Sequence, residues 1–193
     1  MATEARRRLL ATAAELFYTE GIRAVGVERL LAESGVGRAS FYRHFDSKDD
    51  LVVAVLRHRD TTWREWLAAR VDALADTPAD KPLAVFDALE ERFAAQDFRG
   101  CPFINTIVEM ADPTSTAHQV ANEHKRAVID YLVGLLREAG YSTARPTAQA
   151  LHMLMEGAVV TAVRERTTDP ARNAKESAAI LLAAAGAPRS AGV

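Results

Sequence analysis

A single cysteine, Cys101, is the entire thiol content of this 193-residue chain. No internal disulfide can form, and the composition suits a reducing compartment, so a cytoplasmic location is expected. No apolar run approaches the ~18 residues that would span a bilayer, which excludes a membrane-crossing helix. The opening stretch MATEARRRLLATAAELF sets bases ahead of apolar residues as a signal peptide does, but Glu15 interrupts it, and export is not expected. There is no strand signal, internal repeat, glycine-rich phosphate loop or serine elbow. His118, Glu123 and His124 do not fall on one helical face at ligand spacing, so neither metal nor cofactor is expected. Net charge is only −2 and the pI is near 6.2, so the total does not mark a nucleic-acid binder. What is abundant is apolar residue, 49% and spread along the whole length. That permits a large core, excludes general disorder, and leaves room for one small module and one further domain.

Residues 26–51, GVERLLAESGVGRASFYRHFDSKDDL, carry the most information. They read as two short helices about a turn at Ser34-Gly35-Val36, followed at once by a third. Gly35 provides the backbone freedom of a sharp reversal, and Val36 can pack back onto the first helix. The segment Gly37–His44 is short, aromatic and basic. Its donors Arg38, Ser40, Tyr42, Arg43 and His44 are the types that bond phosphate oxygens and base edges, while Phe41 and Phe45 read as core. Between Gly21 and Lys48 there are five bases against three acids, a mild local surplus of positive charge. This is the pattern of a helix-turn-helix whose second helix enters the major groove.

The rest also reads as helix, giving an all-α chain of about nine. Thr3 caps a first helix to about Glu20, ended by Gly21. Val27–Glu33 and Gly37–His44 follow. Ser47 and Asp50 form a capping box that opens a helix to about Leu74. Asp76–Pro82 is the linker before a fifth helix. Phe103–Met110, a helix capped by Asp112-Pro-Thr-Ser and running to Glu138, Thr147–Arg166 and Pro170 to about Ala185 complete the set. The expected division is residues 1–47, 48–187, and a disordered tail over 188–193.

The first fifty residues resemble the tetracycline-repressor (TetR) family of bacterial transcriptional regulators. The matching features are Gly21, Ser34-Gly35-Val36, Ala39-Ser40-Phe41-Tyr42-Arg43-His44-Phe45, Lys48 and Asp49, in the family's order. Gly26 and Gly37 depart from it by standing where Ser or Thr often caps the helices, and Leu31 stands where alanine is more usual. The segment Gly100–Asn105 with Glu109 is similar to a subset having a glycine-cysteine step before helix six. The resemblance implies an N-terminal three-helix DNA-binding domain and a larger effector-binding and dimerisation domain. Tyr42, His44 and Lys48 would contact phosphates of double-stranded operator DNA, and Arg38, Ser40 and Arg43 would face the groove.

It further implies a homodimer through the last two helices, with Leu151, Met155, Ala158, Val159 and Ala162 facing Ile180, Leu181 and Ala184. The middle helices would hold the sensor for a small, largely apolar effector. Its candidate walls are Trp63, Trp66, Phe86, Phe93, Phe103, Ile107, Met110, Tyr131 and Met155, and its candidate polar groups Asn105, Glu109, His124, His152 and Glu156. Repression is the family's usual mode. Two alternatives stand beside this: a constitutive or thiol-responsive regulator using Cys101, and, more remotely, an all-helical enzyme.

Overall fold

The computed structural model describes residues 3–186, and the described residues form nine helices and no strand. The expected tail over 188–193 lies outside the described residues. Helix α1 (Glu4–Glu20) starts where Thr3 Oγ1 accepts the Arg6 amide at 3.3 Å, and ends at Gly21, whose φ is +93°. Helices α2 (Val27–Ser34) and α3 (Arg38–His44) are joined by Gly35 in the left-handed region at φ +62°. Val36 is buried after the turn, as its position predicts.

Helix α4 (Lys48–Leu74) opens on Ser47, whose Oγ accepts the Asp50 amide at 3.1 Å. The Asp50 carboxylate returns to the amide of Asp46 at 3.4 Å, one residue earlier than a capping box would have it. Next are α5 (Lys81–Ala94), α6 (Pro102–Glu109), α7 (Thr116–Glu138), α8 (Ala144–Glu165) and α9 (Asp169–Ala184).

Three boundaries differ from expectation. Pro82 lies in the first turn of α5 rather than in the linker, and α8 begins at Ala144, with Pro146 inside its first turn. A first-turn proline costs nothing, because its missing N–H would have no intrahelical partner. At α7 the capping side chain is Ser115, whose Oγ accepts the His118 amide at 3.3 Å. Asp112 instead closes the preceding turn by accepting from the amide and hydroxyl of Thr114.

The contacts divide the chain into two compact units, which cut across the 1–47 and 48–187 division. One unit comprises residues up to Thr62 together with Cys101–His124; the other comprises Trp63–Gly100 with the chain from Lys125 onward. In the first, α1 packs on α2 and α3 around Leu9, Ala13, Leu30, Phe41 and Leu51, joined by Phe103 of α6 and Ala121 of α7. In the second, α8, α9 and α5 pack on one another around Phe86, Leu132, Leu136, Leu151 and Ala178. Small residues on α8 and α9, among them Ala148, Ala158, Ala162, Ala171 and Ala174, are buried there and let the helices approach closely. Lys175 of α9 reaches both carboxylate oxygens of Asp87 on α5 at 2.6 and 2.7 Å. A half-exposed pair of this kind adds about 1 kcal/mol, and the apolar contacts supply most of the stability.

Candidate nucleic-acid interface and sensor residues

Helix α3 is seven residues long and anchors itself by two aromatic side chains, Phe41 and Phe45, both buried in the head core. Their rings stand 6.0 Å apart. With that face covered, the residues left outward are Arg38, Ala39, Tyr42 and Arg43, at helical spacing of three and four. Tyr42 is 48% exposed and leans edge-on against Phe41, with 5.1 Å between the ring centroids. This holds a large, amphipathic side chain about half in the solvent. Ser40 and His44 are half-buried at the flanks of that face.

His44 has a structural task that the sequence did not disclose. Its Nε2 lies 2.8 Å from Thr3 Oγ1, so the end of α3 is tied to the cap of α1. Arg6 reinforces the junction, its guanidinium 5.3 Å from the centre of the Phe45 ring. Lys48 opens α4, half-buried, with its ammonium 6.0 Å from the Phe17 ring. Arg38 donates to the Glu28 carboxylate of α2.

The residues expected to line a sensor separate into the two units. In the first unit, Phe103 is buried and stacks on His124, with ring centroids 3.6 Å apart. His124 Nδ1 lies 2.7 Å from Asp60 Oδ1, so this histidine is a paired core group rather than an open contact. Ile107 and Met110 pack half-buried against the same core, and Asn105 is exposed. Glu109 has a structural bond as well as a place at a cleft. Its Oε2 accepts the amide of Ile22 at 2.8 Å, holding α6 to the segment that follows α1.

Asn105, Thr106 and Glu109 also form one side of a cleft closed by Phe17, Tyr18, Val55 and Arg59, with about 390 Å³ of empty space, open mouth included. Arg59 spans it, donating to the Ala14 carbonyl at 3.2 Å, its guanidinium 4.9 Å from the Tyr18 ring centre.

In the second unit, Phe86 and Phe93 are core, Phe93 lying 4.8 Å from Phe98 by centroid. Trp63, Trp66 and Tyr131 are half-buried against that core. Tyr131 Oη is enclosed without a hydrogen-bond partner among the protein atoms. Burial, assisted by the negative charges of Asp72 and Glu138, pushes its phenol up to about 12. His152 is buried and held below the usual imidazole range, by burial first and by the Lys125 charge, against the opposing pull of Glu156. Lys125 reaches Glu156 at 2.9 Å. Met155 is core. Cys101 is half-buried at the N-cap of α6. Among the described residues no group of three or more His, Cys, Asp or Glu is placed to hold a metal ion, and no helix is long and apolar enough to cross a membrane.

The dimer candidates need correction on α8. Leu151, Met155, Ala158 and Ala162 are buried within the chain's own core, and Val159 is half-buried against it. The apolar residues α8 leaves outward are Met153, Val160 and Val163, at 66%, 54% and 44% exposure. On α9 the expected face is outward, with Ile180 at 72%, Leu181 at 37%, and Ala184 also exposed.

Known proteins agree with this architecture. Residues 9–55 match the family described as bacterial regulatory proteins, tetR family, and residues 78–177 match the C-terminal domain of LmrA/YxaF-like transcriptional regulators. The repressor NemR of Escherichia coli (strain K12) is 27% identical over 179 residues, covering 89% of this chain and 90% of its own. The repressor KstR2 of Mycolicibacterium smegmatis is 35% identical over 97 residues, 46% of this chain and 45% of its own. A TetR-family regulator of Streptomyces coelicolor superposes with a TM-score of 0.86 at 31% identity, covering 94% of this chain and 96% of that one. The reduced form of E. coli NemR superposes at 0.82 with 25% identity, over 97% and 100% of the two chains. With a helix-turn-helix whose short second helix is exposed and relatives matched along almost its whole length, the chain belongs to the TetR family of bacterial transcriptional regulators, which are DNA-binding proteins and not enzymes.

Proposed function

We propose that this regulator is a cytoplasmic repressor that binds a palindromic operator as a homodimer and is released by a small, largely apolar effector. The observation that carries the reading is α3 itself. Two buried phenylalanines fix its inner face, so Arg38, Tyr42 and Arg43 are presented together on a rigid helix. Tyr42 and Lys48 would serve phosphates, and Arg38 and Arg43 base edges. A seven-residue helix makes too few contacts for tight binding alone, which favours two copies on two half-sites.

The outward apolar residues of α8 and α9 support a two-fold interface that uses Met153, Val160, Val163, Ile180 and Leu181. For the effector, support comes from the half-buried Trp63, Trp66 and Tyr131, and from a Tyr131 hydroxyl that lacks a protein acceptor. Helix α4 is continuous from Lys48 to Leu74 and contributes residues to both units. An effector that shifts its later turns would be transmitted to the head. NemR and KstR2 are both named repressors, which supports that sign of regulation.

The test is binding to the DNA flanking this protein's own gene at two salt concentrations, with Tyr42→Ala beside the wild type. Saturable binding that weakens with salt and is lost in the variant is expected. Absence of binding from a randomised duplex pool as well would overturn the reading.

A further inference from the structure

The reading face carries a carboxylate as well as cations. Glu28 is the second residue of α2, its side chain 74% exposed, and it accepts a hydrogen bond from the guanidinium of Arg38, the first residue of α3, itself 57% exposed. The neighbouring arginine is used differently. Arg29 is gripped by both oxygens of Glu20 at 2.5 and 2.8 Å and approached by Glu33 at 3.7 Å, which binds α2 to α1. Arg38 is held more loosely: it reaches one oxygen of Glu28 through one guanidinium nitrogen, and that pair lies further into solvent, at 57% and 74% exposure, than Arg29 and Glu20 at 46% and 35%.

We propose that Glu28 is a specificity-determining residue, a carboxylate that occupies Arg38 until a guanine edge replaces it. The inference rests on the DNA-binding reading above. Non-specific association is driven by cations that neutralise phosphates and release counterions. A guanidinium already neutralised by Glu28 adds little to that release, and Glu28 itself is repelled by the duplex. An exposed ion pair shifts an equilibrium only about two- to fivefold, so it is readily exchanged. A guanine presents O6 and N7 in one plane and discriminates about 5- to 150-fold through a bidentate arginine. Glu28 is therefore strong enough to penalise phosphate-only binding and too weak to resist the correct base. Glu28 has a second role of opposite sign. Gly26 offers α2 no side-chain cap, so a negative charge in the first turn steadies that helix end.

The experiment compares full-length wild type, Glu28→Gln, Arg38→Gln and the double variant. The probes are a random-sequence duplex and a duplex enriched from a randomised pool by the wild type, each at several salt concentrations, with Tm recorded alongside. Glu28→Gln is expected to bind the random duplex about 3- to 10-fold tighter at low salt, with a salt slope steeper by about one phosphate contact per protomer. Affinity for the enriched duplex should move less, so the specificity ratio falls. The gain should shrink when Arg38 is already glutamine. Unchanged random-duplex affinity and slope, or weaker binding to both duplexes with a lowered Tm, would leave Glu28 only a helix-end charge and overturn the proposal. Selective loss on the enriched duplex would make Glu28 itself the base reader and overturn it too. A wild type that enriches no duplex overturns both this assignment and the DNA-binding reading.

Discussion

At the scale of single residues, Gly21 leaves no room for a side chain beside Glu109. Gly21 sits at φ +93°, and a Cβ there would lie 2.3 Å from Glu109 Oε1. The same carboxylate receives the Ile22 amide at 2.8 Å. Gly21→Ala should cost at least ~1–3 kcal/mol from the backbone alone, with a steric collision added. Glu109→Ala leaves the Ile22 N–H without its acceptor and should cost about 1 kcal/mol, the site being half-buried. Because alanine at 109 removes the collision, the double variant should be more stable than the two single losses predict, as a urea-unfolding cycle would measure. Strict additivity would mean that the two positions do not meet. The sequence marks Gly21 plainly as a helix stop and offers Glu109 as a polar group for a ligand, but it is silent on the bond to Ile22. That partner is 87 residues away, and no local pattern signals a carboxylate that bonds a distant backbone amide.

Elements differ in how well their ends are satisfied. Helices α1 and α4 have hydroxyl caps, whereas α2 and α3 start at Gly26 and Gly37 with no side-chain bond to their free amides. Both glycines have extended backbone, at φ −84° and −67°, and a Cβ at either meets nothing within 4 Å. Gly26→Ser and Gly37→Ser should each stabilise the head by a few tenths of a kcal/mol, raising Tm by a degree or two, as calorimetry would read. A fall in Tm would mean that the serine hydroxyl does not reach the amides two or three residues on. Caps of this sort are legible in sequence because partner and amide lie within one turn. Prolines mislead for a related reason: Pro82 and Pro146 read as breaks, although a proline is equally at home in a first turn, where no N–H is needed.

For the whole molecule, the proposed dimer rests on the outward residues of α8 and α9. Val160→Asp together with Ile180→Asp should leave the fold intact, convert a dimer to a monomer in light scattering, and abolish operator binding. Leu151→Ala should instead destabilise the protomer by ~2–5 kcal/mol, since that side chain is fully buried, while leaving the dimer in place under folding conditions. Dissociation by Leu151→Ala without loss of stability, and no effect of the aspartates, would reverse the assignment of the two faces.

The order of helices, the glycine turn at Gly35, the cap at Thr3 and the aromatic anchors of α3 were determined by the sequence alone. Each depends on side chains and amides within about four residues of one another, so periodicity and capping chemistry suffice. Only the tertiary structure decided that Leu151 and Met155 face inward while Val160 faces out, because α8 carries apolar residues on more than one side and nothing local says which side another helix covers. The same holds for Asp60 on His124, Glu28 on Arg38 and Glu109 on Ile22, separated by 64, 10 and 87 residues. Those pairs exist because packing brings distant chain segments together, and a linear pattern holds no record of that distance.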